Sequence, residues 1–125
     1  IGLTWSDWRL DSDGRPGMNG GAEMTAAEWA KFGELIRREG EWFGKQVIPP
    51  EMVGEMLKPG ANKQYALGVW LEDYEGHEVI QASGKGGQRC YIIGDQNMVL
   101  VIQSDSSKFQ DEQFMELLFT GAVHG

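Results

Sequence analysis

The sequence predicts an α+β fold, an antiparallel sheet of about four strands with flanking helices, and three observations carry that prediction. A helix-capping pattern opens an amphipathic stretch in the first third of the chain. After Lys58-Pro59-Gly60 the hydrophobic period switches from about 3.6 towards 2. From there four apolar runs are joined by links too short for a crossover, which makes the sheet an antiparallel meander. The 125 residues form a single domain or part of one. Residues 1–60 hold a loop region and helices, and residues 61–125 hold the meander and a C-terminal helix.

Each element has a local reason. Residues 1–24 lack a sustained period, and Asp11-Ser12-Asp13-Gly14-Arg15-Pro16-Gly17 is turn chemistry. A calcium loop is excluded there, because Arg9 stands at its first ligand position and Gly20 at its last. Thr25-Ala26-Ala27-Glu28 reads as a capping box, in which hydroxyl and carboxylate satisfy each other's backbone donors. Its helix runs to about Glu39 with Gly40 as the stop, and Trp29, Phe32, Leu35 and Ile36 form the buried stripe. A core role for that stripe outweighs a cofactor role. Residues 44–48 read as a short extended piece, and Pro49-Pro50 opens a second helix reaching Leu57. Strands are predicted over 65–72, 78–83, 88–93 and 98–104. A last helix is predicted from Lys108 to Phe119, with Phe109, Phe114, Leu117 and Leu118 facing inward.

Composition narrows the function classes. An apolar share of 41% with five tryptophans describes a globular chain able to bury a core. Glycine, 18 of 125 residues, is about twice its usual share, so many turns or close backbone approaches are expected. The net charge of −8, with no basic run longer than Arg37-Arg38, argues against nucleic acid or an anionic membrane as partner. No apolar run approaches the roughly 20 residues of a membrane span, and no stretch reads as a signal peptide. A chain opening Ile1-Gly2-Leu3 is expected to be a processed product or a fragment. The single cysteine, Cys90, excludes an internal disulfide, leaves the compartment open, and reads as a buried inert thiol within a strand.

Chemistry concentrates in Gln81-Ala82-Ser83-Gly84-Lys85-Gly86-Gly87-Gln88-Arg89. One strand enters a glycine-relaxed segment, a second leaves it, and one cation sits where the backbone has least cover. Read alone, this is first a glycine-rich hairpin with a solvated lysine, and second a ligand-facing turn. A P-loop is absent, since Gly84-Lys85 lacks the upstream glycine and the following Ser or Thr. His77 and His124 have no ligand-spaced partners, so no metal is expected, and no cofactor either. Glu72-Asp73 and Asp111-Glu112 read as solvated charges.

Several stretches in order carry a resemblance. The run from Gly20-Gly21 through Met24-Thr25 to Leu35, then Gly40-Glu41-Trp42-Phe43-Gly44-Lys45-Gln46-Val47-Ile48-Pro49, resembles the serine β-lactamase-related hydrolases: class C β-lactamases, neighbouring esterases and 6-aminohexanoate-dimer hydrolases. Tyr65-Ala66-Leu67-Gly68-Val69-Trp70 is similar to the family's tyrosine-glycine-tryptophan strand, and Gly84-Lys85-Gly86-Gly87-Gln88 falls at its Lys/His-x-Gly box. The resemblance runs from about Ile1 to Phe119 but covers only the last third of such an enzyme. It implies that Lys85 holds a substrate carboxylate or tunes the base, that Gly86 and Gly87 let substrate lie along the strand edge, and that the Gln88 backbone N–H is an oxyanion donor. Gly86, in place of the Thr or Ser of true lactamases, suits an esterase or amidase.

The family's Ser-x-x-Lys nucleophile and its Tyr-x-Asn or Tyr-x-Ser element lie upstream of this region. No serine of this chain has a lysine three residues on, and Tyr65, Tyr74 and Tyr91 lack the second element. Covalent catalysis needs a nucleophile beside a base. The expected partners are therefore the missing N-terminal part of the same enzyme or a second copy of the chain, with a small ester or amide as substrate once complete. In the resembled fold the strand at 98–104 lies beside one supplied by that missing part. The alternative is a free-standing, non-enzymatic α+β binding or assembly module, or an unrelated small domain.

Overall fold

A computed structural model describes residues 1–17, 20–105 and 108–124 of the chain. The meander is β5 (Trp70–Tyr74), β6 (His77–Gly84), β7 (Gln88–Ile93) and β8 (Met98–Ile102), antiparallel in the order β5-β6-β7-β8. Helices α1 (Ala26–Arg37), α2 (Pro50–Met56) and α3 (Asp111–His124) complete the α+β arrangement. The period-2 register sorts the strands onto two faces. Ile80, Ile92 and Val99 are opposite one another on one face, and Gln81, Tyr91 and Leu100 on the other.

The first face is dry. Ile80, Cys90 and Ile92 pack with Ile36 of α1 and Val53 of α2, joined by Trp29, Phe32, Val99 and Val101. Of the stripe predicted for α1, Ile36 is in this cluster with Trp29 and Phe32 partly buried against it, while Leu35 is buried outside it. The helix comes this close because position 33 has no side chain. A Cβ on Gly33 would sit 2.6 Å from Val99 Cγ1 and 2.9 Å from Cys90 Sγ. On the second face Val79, Tyr91 and Ile93 pack against Met115 and Phe119 of α3, with Tyr91 stacked on Phe114 at 5.7 Å. Strand β8 therefore contributes to both clusters while forming one edge of the sheet.

Several elements differ from the sequence-based expectation. Only half of the capping box forms. Thr25 Oγ1 accepts from Glu28 N–H at 3.2 Å, but the Glu28 carboxylate accepts from Thr4 N–H at 2.7 Å and from Lys31, tying the N-terminal segment to α1. Strand β5 begins at Trp70 rather than Tyr65, because residues 66–69 make a tight corner in which Ala66 N–H donates to Val69 O and Gly68 takes φ 85°. Helix α3 starts at Asp111, three residues late, and runs past Phe119. Residues 1–24, expected as loop, carry a two-stranded ribbon of β1 (Asp7–Trp8) and β2 (Ala22–Glu23). A second ribbon, β3 (Glu41–Trp42) with β4 (Lys45–Gln46), turns at Phe43-Gly44, both left-handed.

Candidate functional site

The turn between β6 and β7 is the three residues Lys85-Gly86-Gly87, closed by the pair Gly84 and Gln88. Gly86 and Gly87 take φ 85° and 86°, a consecutive left-handed pair that glycine adopts at little cost. The turn therefore requires both glycines, and it leaves Lys85 exposed at its tip.

The residue immediately after the turn is held firmly. Gln88 Nε2 donates to Ser104 O, and Ser104 N–H donates back to Gln88 Oε1 at 3.3 Å. The side-chain amide acts as an extra peptide unit, continuing the β7–β8 ladder beyond its last pair, Arg89 and Ile102. Next to it Gln103 Nε2 donates to Met24 O at 2.8 Å, fixing the approach to α1 against this end of the sheet.

Between the β1–β2 ribbon and the turn opens a cleft of about 890 Å³, lined among others by Arg9, Glu23, Thr25, Trp29, Lys85 and Gln88. Of the predicted site residues, Lys85 and Gln88 line it, and Gly86 and Gly87 set their spacing. Sequence reasoning missed Arg9 and Glu23. Both sit on a ribbon with no periodic signal, and only the paired Gly20-Gly21 marks that place. Trp29 has two roles, packing against the core cluster and closing the cleft floor.

A second polar group lies on the α3 face of the sheet. Asp111, expected as a solvated charge, is half-buried and accepts from Arg89 Nε at 2.7 Å and Nη2 at 3.0 Å, from Tyr91 Oη, and from Gln81 Nε2 at 3.3 Å. Burial raises its carboxyl, but the bonds from Arg89 and Tyr91 outweigh it and hold the group below its ordinary range. Burial pushes the Tyr91 hydroxyl up, with the Asp111 charge adding to the effect. Arg89 also lies over the Phe109 ring, 5.7 Å from its centroid. This is a structural clamp, its donors and acceptors satisfied from within.

Remaining candidates resolve simply. Burial pushes the Cys90 thiol up to about 12, so it is protonated at neutral pH and no nucleophile. His77 Nδ1 meets Asp95 Oδ2 at 2.6 Å and its ring stacks on Phe119 at 4.5 Å. His124 lies where side chains fall outside the described residues. Among the described residues no three His, Cys, Asp or Glu are grouped to hold a metal ion, and no helix is long and apolar enough to cross a membrane.

No family model and no curated protein matches the sequence. Solved structures do match. A Bacillus anthracis protein provisionally named a 6-aminohexanoate-dimer hydrolase superposes with a TM-score of 0.67 at 20% identity, over 94% of this chain and 34% of its own. A Bacteroides dorei DSM 17855 protein provisionally named a β-lactamase gives 0.65 at 19% identity, over 99% of this chain and 48% of its own. The chain thus spans a third to a half of the length of these neighbours. Its fold is that of a segment of β-lactamase-like hydrolases.

Proposed function

We propose that this chain is the C-terminal segment of a serine hydrolase, of the esterase, amidase or β-lactamase-like kind, and supplies one wall of its active-site cleft. The observation that carries the reading is the Lys85-Gly86-Gly87 turn at the cleft, with Gln88 pinned directly behind it. In this reading Lys85 presents a cation to the substrate carboxylate or the catalytic base. The Gln88 N–H is one of two donors to the oxyanion of a tetrahedral intermediate. Such a donor is worth roughly 10²–10³ in rate, and only when its direction is fixed before the reaction. The two hydrogen bonds between the Gln88 amide and Ser104 support that pre-orientation. The nucleophile and its base come from the portion this chain does not span.

Association belongs to the same reading. Strand β8 is a sheet edge among the described residues, and Leu67, Met52 and Phe43 are 73%, 60% and 84% exposed. Open edges and exposed apolar side chains suit a covering partner. The occupant we assign is the missing part of the same enzyme, because the structural neighbours carry more than half of their length outside the matched region. Sedimentation equilibrium of the chain alone distinguishes the outcomes. Association supports an interface, a dimer makes a second copy the occupant, and a monomer of 13.9 kDa counts against the docking surface.

One observation favours the alternative of a free-standing non-enzymatic module. Both faces of the sheet are already covered by the chain's own helices. Assay of the chain alone with p-nitrophenyl butyrate and nitrocefin, together with the coding sequence upstream of Ile1, separates the two. The hydrolase reading expects no turnover by the chain and a Ser-x-x-Lys upstream. Turnover lost on Lys85→Ala, or an upstream region without that motif, contradicts it.

A further inference from the structure

The cleft has a charge character opposite to that of the chain. Of the cations, Arg15, Lys31, Arg37, Arg38, Lys58 and Arg89 each pair with a carboxylate. The Arg9 and Lys85 side chains make no ion pair or hydrogen bond among the described residues, and both line the same cleft. They come from separate elements, Arg9 from the end of the β1–β2 ribbon and Lys85 from the β6–β7 turn. Glu23 is the single carboxylate among the lining residues. A cleft with two unpaired cations and one carboxylate, in a chain of net charge −8, is locally positive against its surroundings. Unpaired cations in a concave, partly apolar site are where an anionic ligand gains most, since they give up no internal partner on binding.

We propose that Arg9 and Lys85 form a two-cation subsite, so that the ligand of this cleft is a small molecule carrying two anionic groups, such as a dicarboxylate. The inference rests on the hydrolase reading only in taking the cleft as the place where substrate sits. It adds a specificity residue, Arg9, from a ribbon that carries no catalytic motif. Trp29, Ala22 and Met24 supply apolar lining in the same cleft.

The test is titration of the ¹⁵N-labelled chain at low salt with glutarate, with uncharged glutaramide as the control. Glutarate is expected to shift the amides of 84–88 and of 6–9 saturably, about tenfold tighter than glutaramide. Arg9→Gln and Lys85→Gln are each expected to weaken binding about threefold, and Arg9→Lys to retain it. Glutarate binding no tighter than glutaramide overturns the proposal. Binding that depends on Lys85 but not on Arg9 also overturns it, and leaves the hydrolase reading intact. Binding insensitive to both variants overturns the proposal and confines Lys85, in the hydrolase reading, to the catalytic base.

Discussion

The two faces of the central sheet are held by different physics. On the α1 face the contact is apolar and short, and the helix approaches closely because Gly33 presents nothing to Val99 and Cys90. On the α3 face the aromatic packing is pinned at one end by Asp111, which gathers Arg89, Tyr91 and Gln81. Dispersion and area secure the first face wherever shapes fit. A half-buried charge secures the second and demands its full set of partners. Tolerance to change divides along the same line: the dry face resists added volume, and the clamped face resists loss of one atom group.

Asp111→Ala tests the clamp and should be the most damaging single change. It leaves Arg89, whose side chain is 15% exposed, without its carboxylate. A loss of about 3 kcal/mol in urea unfolding is expected, and a loss below about 1 kcal/mol would mean the pair is solvated. Gly33→Ala tests the dry face. The added methyl costs about 1–3 kcal/mol of overpacking, offset by up to about 1 kcal/mol of helix propensity. Combined with Val99→Ala, the loss should be less than additive, since the second change removes the colliding atom. An additive result would place the strain elsewhere.

Acid separates the faces more finely. The folded pKa of Asp111 is lowered, so its contribution to stability is complete above the ordinary value of 3.8 and is lost as pH falls through the lowered one. Glu34 on α1, held at about 2 chiefly by the Arg37 hydrogen bond against the opposing effect of burial, behaves likewise below 4.5. Asp111→Asn should therefore flatten the acid limb of the stability curve without abolishing it. An unchanged limb would assign the whole of it to other carboxylates. The mildest test is chemical. Cys90 should resist a disulfide reagent in the native state and react fully on unfolding, because burial keeps its thiol protonated.

The same contrast explains how much was legible in the sequence. The dry face was, since the 29-32-36 stripe of α1 and the apolar runs of β7 and β8, which burial on both faces imposes, are local patterns. The clamp was not. Asp111 and Arg89 are 22 residues apart, and nothing in either neighbourhood distinguishes a paired carboxylate from a solvated one. The cleft was half legible. Lys85, Gly86 and Gly87 announce themselves through glycine chemistry. Arg9 reaches the site through a ribbon of just two residue pairs, Asp7 with Glu23 and Trp8 with Ala22, whose partners are distant in sequence.

Whether this chain completes a serine hydrolase is tested most directly by hydrolysis of p-nitrophenyl butyrate. The substrate is offered to the chain joined to its own upstream sequence, with and without Lys85→Ala. Turnover is expected in the joined polypeptide, none in the chain alone, and a fall in kcat of roughly 10²-fold or more in the variant. Turnover in the joined polypeptide that is indifferent to Lys85, or joined material that is inert while fully folded, would contradict the hydrolase reading.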